Sequence, residues 1–197
     1  MSFSDTSENA ATRWFGPAFV RLHPLLQALH REGGRLQGEV DVSTGRGIAG
    51  LLGRRLARKL GIPVDRPRRG FEVQIHHDND VMSWHRRFDD GSVMTSIFRP
   101  VGHYPDGHWL ETTGPVQLKL AADVIDGGWR WRLLGVAVRG LPLPLALFPR
   151  TDAFKRVDGD GRYRFGVAFA LSPFGTLLRY EGALQLRVSS HEQAARS

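Results

Sequence analysis

Apolar and polar residues alternate along most of the chain after residue 70, and this period of two predicts β-strands. The clearest apolar row takes every second position from 116 to 124. Turn sequences separate such rows, as at Asp89-Asp90-Gly91 and Asp126-Gly127-Gly128. Consecutive strands joined by tight turns form an antiparallel meander, so the pattern predicts a meander of about ten strands.

The N-terminal part of the chain carries a helical period instead. Residues 14–30 predict a helix that is broken near His23-Pro24, because proline is favoured at the first position of a helix. Residues 36–42 alternate like a strand, and a second helix is predicted from about Arg46 to Leu60. The apolar stripe of that helix is expected to pack on the sheet through Ile48, Leu51, Leu52, Leu56 and Leu60.

A meander of this length tends to curl, because closing the sheet removes its exposed edges. We therefore predict an α+β fold that is mostly β, with two N-terminal helices packed on a curved antiparallel meander or barrel. A sandwich of two sheets is the alternative. The polar residues at both ends of the chain predict disordered tails at residues 1–12 and 189–197. Residues 13–188 are then predicted to form a single β-rich domain.

The segment Gly140–Pro149 is strongly apolar and yet contains Pro142, Pro144 and Pro149. Three prolines in ten residues are incompatible with a helix interior and with a central strand. Apolar residues that are not hydrogen-bonded within a sheet must still be shielded from water by the protein core, a ligand, a membrane or a partner protein. We interpret the segment as an irregular wall of the β-rich body.

Composition limits the chemistry that the chain can perform. The 197 residues contain no cysteine, which excludes disulfides, thiolate nucleophiles and cysteine-ligated zinc, and fits a cytoplasmic location. The net charge is +7, but the sequence shows no stacking-aromatic motif of RNA-binding proteins, so we predict no nucleic-acid partner. Neither a signal peptide nor an apolar run long enough to span a membrane is apparent.

The second predicted helix carries a local concentration of positive charge at Arg54, Arg55, Arg58 and Lys59. A basic amphipathic helix can lie on an anionic membrane, so peripheral membrane contact through these residues is one interpretation. The other interpretation is a helix that packs its leucines on the sheet and leaves its charges in solvent.

One strand places a charged residue between two aromatic residues on the same face. Trp84, Arg86 and Phe88 share strand parity, and Glu111 shares parity with Trp109 on another strand. If these faces point inward, Arg86 needs a carboxylate partner, and Glu111 is the best candidate. Such a pair would be either an anion-binding or polar-headgroup site at the bottom of an apolar cavity, or a structural ion pair that fixes strand register.

These residues suggest three classes of function. The first is a pocket in the barrel for a lipid-like or other hydrophobic small molecule, oriented by a few polar contacts. The second is an enzyme in which Glu111 acts as a base and Arg86 stabilises negative charge, and the third is an accessory domain that serves a reductase or a membrane surface. No catalytic residue, cofactor or metal site is assigned. The predicted ligand-binding residues are Trp84, Arg86, Phe88, Trp109, Glu111, Trp131, Phe165 and Tyr180.

Several short motifs, taken together in order and spacing, resemble one bacterial family of unknown function, catalogued as domain 4166. Members of that family often follow a short-chain or saccharopine-reductase-like nucleotide-binding domain. The resemblance therefore implies a reductase partner that would act in trans, and it supplies no established activity. It spans roughly residues 14–187 and is carried by Gly45-Arg-Gly47, Leu60-Gly-Ile-Pro63, Trp84-His-Arg-Arg-Phe88, Glu111 with Gly114-Pro115, Gly140-Leu-Pro-Leu-Pro144 with Pro149, Arg162-Tyr-Arg-Phe165 and Tyr180-Glu-Gly182.

Overall fold

The computed structural model describes residues 8–78 and 80–187, so the predicted tail 189–197 and the first seven residues lie outside the described residues. Residues 10–12 of the other predicted tail are helical rather than disordered, which corrects that part of the prediction. The Asn9 side chain accepts hydrogen bonds from the backbone N–H groups of Ala11 and Thr12 and donates to the carbonyls of His30 and Arg31. This cap starts the folded body before residue 13.

The described residues form three α-helices and two short 3-10 helices. The α-helices are α1 (Ala10–Phe15), α2 (Pro24–Glu32) and α3 (Gly47–Leu60), and the 3-10 helices are Gly16–Arg21 and Leu145–Leu147. The eleven strands of the described residues are β1 (Gly34–Thr44), β2 (Arg68–His77), β3 (Met82–Phe88), β4 (Val93–Val101), β5 (His108–Thr113), β6 (Val116–Ile125), β7 (Gly128–Val138), β8 (Leu141–Leu143), β9 (Arg150–Val157), β10 (Tyr163–Leu171) and β11 (Gly175–Arg187).

The strands close into an antiparallel barrel, which confirms the barrel prediction and rules out the sandwich. Strands β1 to β6 are neighbours in sequence order, β6 pairs with β7, and β7, β9, β10 and β11 complete the ring of ten in the described chain. The ring closes where β11 pairs with β1, with Arg35 opposite Arg187. Between β7 and β9 the ladder has three pairs, from Trp129 opposite Lys155 to Trp131 opposite Ala153.

The N-terminal helices close one end of the barrel. The Trp14 ring of α1 packs 5.4 Å from the Trp109 ring, measured between centroids. The His23 N–H donates to the Gly127 carbonyl at the β6–β7 turn at 2.7 Å. The helix predicted over residues 14–30 is divided into three pieces, because Gly16 adopts a φ of 51° and Pro24 begins α2.

Helix α3 lies against β11 near the opposite, open end of the barrel, and its contact face differs in part from the predicted one. A Cβ atom on Gly53 would lie 1.8 Å from the Leu177 carbonyl oxygen, so helix and strand are in direct backbone contact. Ala49 and Ala57 share this buried face, whereas Ile48 and Leu51 are 59% and 63% exposed. The prediction is therefore wrong for Ile48 and Leu51, whereas Leu56 and Leu60 pack against the hydrophobic core as predicted. The closest contact with β11 is made by the smallest side chains.

The proline-rich segment is only partly the wall that the sequence predicts. Strand β8 pairs with β7 alone, because a proline residue has no backbone N–H group that could donate a hydrogen bond to a second neighbouring strand. Leu143 and Phe148 line the cavity at its open end, whereas Leu141 and Leu147 are 70% and 74% exposed. The segment therefore leaves apolar side chains in solvent beside the open end.

Candidate functional site

The barrel encloses a cavity of about 700 Å³. It runs from the buried Lys155 side chain to exposed residues at the open end, among them Lys59, Arg139 and Leu143. Between these limits the walls are mainly apolar side chains from every strand of the ring except β1. The apolar residues of the wall include Phe71, Val73, Trp84, Met94, Phe98, Leu120, Trp131, Phe165 and Phe169.

Six of the eight predicted ligand-binding residues line this cavity, namely Trp84, Arg86, Glu111, Trp131, Phe165 and Tyr180. The other two, Phe88 and Trp109, point inward as predicted but are covered by neighbours. The Phe88 ring lies 4.8 Å from the Phe71 ring, and Trp109 is covered by Trp14 of α1. They belong to the hydrophobic core, and ligand binding by the six lining residues stays a prediction.

Arg86 and Glu111 meet inside the barrel, as their strand parity predicts. The guanidinium lies 3.8 Å from the Glu111 carboxylate, which is an ion pair without a short hydrogen bond. Arg86 donates to the Ser96 hydroxyl at 2.8 Å, and the Ser96 and Thr113 hydroxyl oxygens lie 2.6 Å apart. Thr113 donates to Glu111 at 3.5 Å, so two hydroxyls link the charged groups in a chain. The chain holds both charges at the cavity wall.

Lys155 of β9 is the charged residue of the cavity that sequence reasoning missed. The residue is 7% exposed, and its Nζ atom lies 3.2 Å from the centroid of the Trp84 ring. The rings of Trp131, Trp129 and Phe98 surround the same atom at 5.3 to 5.8 Å. Within the described residues, Nζ has no hydrogen-bond or ion-pair partner. The amine therefore faces the cavity in an aromatic setting.

Burial lowers the pKa of Lys155 well below its ordinary value, and the nearby positive charge of Arg86 lowers it further, although Glu111 partly opposes this. The aromatic rings favour the ammonium form, but a cation–π contact is worth only about 2 kcal/mol. Burying an unpaired charge costs several kcal/mol, so desolvation dominates. The lowered pKa increases the fraction of the amine that is in the neutral, nucleophilic form.

Two tyrosines and a histidine complete the titratable groups around this lysine. Burial raises the pKa of Tyr163 and that of Tyr180, so both phenols stay protonated and can donate hydrogen bonds. Burial, together with the positive charge of His77 and of Lys155, lowers the pKa of His30 on α2. His30 is therefore neutral, and its ring packs edge-on against Trp129 behind the lysine, with 4.9 Å between the ring centroids.

A sequence signal for Lys155 exists in hindsight. Lysine occurs at three positions in the chain, Lys59, Lys119 and Lys155, among 27 basic residues. Lys155 shares strand parity with Ala153 and Val157, two apolar residues, so its position is inward-facing by the same rule that identifies Arg86. A rare lysine at an inward position is unusual enough to single out.

The basic residues of α3 lie outside the barrel. Arg54, Arg55, Arg58 and Lys59 are all exposed, and of these four only Lys59 also lines the cavity. Among the described residues, no helix combines the length and the apolar character that crossing a bilayer requires. Nor do the described residues bring together three or more His, Asp or Glu side chains that could hold a metal ion.

The sequence model described as Domain of unknown function (DUF4166) matches residues 22–184. The match runs from the segment that closes the barrel to β11, and so covers nearly the whole ring and every residue of the cavity named above. The chain belongs to this family. No curated protein matches the chain. In this member of the family, the barrel, its cavity and the charged cluster of Arg86, Glu111 and Lys155 are thus parts of the family domain.

Proposed function

We propose that this domain binds a lipid-like or other hydrophobic small molecule in the barrel. The observation that carries the proposal is the cavity itself, an apolar space of about 700 Å³ with charged and hydroxyl groups gathered on its inner wall. Ligand pockets commonly have volumes of roughly 300 to 1,000 Å³ and combine apolar walls with a few polar contacts. An elongated guest with one polar end matches this distribution.

The polar end of the guest is directed inward in this proposal. Arg86, Glu111, Tyr163, Tyr180 and Lys155 supply donors and acceptors inside the cavity, while apolar side chains form most of the wall between them and the exit, where Lys59 and Arg139 lie. An apolar chain placed along those walls loses contact with water, which contributes about 25 cal/mol for each Å² buried. The polar contacts then fix the orientation of the guest.

A cavity-filling variant tests the proposal. Ala153 lines the cavity, whereas Ala168 follows Val167 on β10 and has the opposite, outward parity. Ala153→Phe is expected to weaken binding of decanol at least tenfold, and Ala168→Phe to leave it unchanged, as measured by titration calorimetry. Native mass spectrometry of the purified protein would in addition reveal a co-purified lipid.

Equal decanol affinity in both variants would contradict the proposal, because binding would then lie outside the cavity. Absence of decanol binding to the unmodified protein, together with absence of any co-purified guest, would also contradict it. Thermal melting curves of the two variants serve as the control for folding. The tenfold loss corresponds to about 1.4 kcal/mol of binding free energy.

Peripheral contact with an anionic membrane is a second candidate, and it is compatible with the first. The observation that favours it is the open end of the barrel, where Leu141, Leu147, Ile48 and Leu51 are exposed. The basic residues of α3 accompany these apolar side chains, as in interfacial helices that bind anionic lipids. A guest could then pass between the membrane and the cavity. Service to a separate reductase stays a prediction from the family resemblance.

A further inference from the structure

Lys155 combines two features that activate a lysine as a nucleophile. Its amine lies in an apolar, aromatic pocket, and a second cation, Arg86, lines the same cavity. Desolvation and a neighbouring positive charge are the two conditions under which lysines form covalent intermediates with carbonyl compounds. The free side of the amine faces the space in which we place the polar end of the guest.

We propose that Lys155 forms a Schiff base with the carbonyl carbon of a hydrophobic aldehyde or ketone held in the cavity. This inference rests on the proposed function, because the apolar part of the carbonyl compound must first occupy the barrel. It narrows the ligand from a hydrophobic small molecule to a carbonyl compound. The amine is an unpartnered group, and a covalent role accounts for its presence in an otherwise apolar part of the wall.

The step balances without any further reactant. The lone pair of the amine attacks the carbonyl carbon, and the electron pair of the C=O π bond moves to oxygen. A proton passes from nitrogen to that oxygen, which gives a carbinolamine. The carbinolamine then loses its oxygen as water, and a C=N double bond remains. One amine and one carbonyl compound thus give one imine and one water, and the reverse reaction releases the guest.

The groups around Lys155 are suited to this proton transfer. Glu111 on β5 can accept and return a proton, and it provides a negative charge beside the protonated imine. The phenols of Tyr163 on β10 and Tyr180 on β11 can donate to the carbonyl oxygen as it gains charge. The positive charge of Arg86 on β3 disfavours protonation of the free amine, whereas the neutral His30 on α2 adds no charge to this effect.

Reductive trapping tests the inference directly. The full chain is incubated with decanal near neutral pH, and sodium cyanoborohydride reduces any imine to a stable secondary amine. Intact mass spectrometry should show one decyl group added per chain, and peptide mapping should place it on Lys155. Lys155→Met should lose this adduct, whereas Lys119→Met, which removes an exposed lysine, should retain it.

The outcomes separate this inference from the proposed function. Decanol binding without a decyl adduct on Lys155 overturns the Schiff base and leaves the hydrophobic pocket standing. An adduct distributed over Lys59, Lys119 and the terminal amine at rates equal to that on Lys155 also overturns it. Loss of both decanol binding and adduct overturns both proposals. Peptide mapping of the unmodified protein gives the answer even if Lys155→Met does not fold.

Discussion

At the scale of single residues, the cavity holds a group that works against folding. A lysine amine among Trp84, Trp131 and Phe98 is largely removed from bulk water and has gained no ion pair or hydrogen bond within the described chain. Replacement of a buried charged group by an apolar one of similar volume is often stabilising. Groups retained at such a cost in stability are characteristic of functional sites.

Lys155→Met is therefore expected to raise the free energy of unfolding by about 2 kcal/mol at pH 7. The pKa of Lys155 is lower in the native protein than in the unfolded chain, so the unfolded chain binds more protons between those two values. The stability of the unmodified protein consequently rises with pH in that window, by up to about 1.4 kcal/mol per pH unit. Urea titrations between about pH 7 and pH 9 check both effects.

The other buried groups with shifted pKa values change the stability outside the pH range of these urea titrations. His30 has a lowered pKa and affects stability below the ordinary histidine value, and Tyr163 and Tyr180 affect it only at high pH, where unfolded tyrosine ionises. Lys119→Met serves as the control, because that side chain is exposed. A stability that is flat with pH in the unmodified protein would show that Lys155 remains charged.

The sequence predicts part of the residue-level site and misses the rest for identifiable reasons. The alternation of inward-facing and outward-facing residues along β3 and β5 is sufficient to predict that Arg86 and Glu111 both point into the barrel. It does not reveal which inward aromatics face the cavity, because Trp109 is covered by α1, an element without any alternating pattern. Lys155 lies among apolar neighbours on β9, and polarity alone suggests solvent for such a residue.

At the scale of elements, the packing of α3 depends on the absence of side chains. The helix buries Ala49, Gly50, Gly53 and Ala57 against the start of β11, and leaves larger residues to the cavity and to solvent. A search for apolar stripes selects leucines because hydrophobicity scales rank them highly. Close approach of backbones is instead encoded by small residues, which carry little hydrophobic signal. The pattern therefore predicts the ends of the helix and the packing of Leu56 and Leu60, but it misses the contact with β11 and wrongly buries Ile48 and Leu51.

Gly53→Ala is expected to lower the free energy of unfolding by about 2 kcal/mol, the usual scale for overpacking a buried contact. In an exposed helix the same change would raise stability by roughly 1 kcal/mol, so the sign of the effect is diagnostic. The added Cβ would lie 1.8 Å from the Leu177 carbonyl oxygen, and α3 would have to move away from β11. Thermal or urea unfolding measures the change.

Leu51→Ala on the same helix provides the comparison for this prediction. Because Leu51 is 63% exposed, its truncation is expected to change stability by no more than about 0.5 kcal/mol. If Gly53→Ala stabilised the protein, or if Leu51→Ala were the more damaging change, the described contact between α3 and β11 would be wrong.

At the scale of the whole molecule, the two ends of the barrel have different surfaces. The helical end is sealed by α1 and α2, whereas the open end carries exposed leucines of the proline-rich segment and the basic face of α3. The alternation of the strands predicts the ring but not this polarity. The difference arises from the positions of α1 and α2 before β1, of α3 after β1 and of the proline-rich segment after β7. Periodicity within a strand carries no information about where these elements pack.

Vesicle flotation tests whether the open end contacts membranes. The protein is expected to float with vesicles that contain phosphatidylserine and to remain unbound with pure phosphatidylcholine vesicles. Leu145→Asp together with Leu147→Asp should abolish flotation, because both side chains are exposed at the open end. Removal of charge at Arg54, Arg55 and Arg58 should weaken it and reduce its sensitivity to salt.

Ile125→Asp is the matched control for this experiment. Ile125 is also exposed, but it lies beside the β6–β7 turn at the sealed end. Equal loss of flotation in this variant would indicate a general effect of added negative charge. Flotation that persists in the double leucine variant would exclude the proline-rich segment from the contact surface.

The pairing of Arg35 with Arg187 also has a consequence for biosynthesis. During translation β1 emerges early and acquires β2 as a neighbour, but its other edge waits for the last strand of the domain. Until the ribosome has released almost the entire polypeptide, that edge can recruit a strand from another nascent chain. Fragments that stop before Gly175 should therefore aggregate rather than form a smaller barrel, and refolding of the full chain should be slow because its closing ladder joins distant positions.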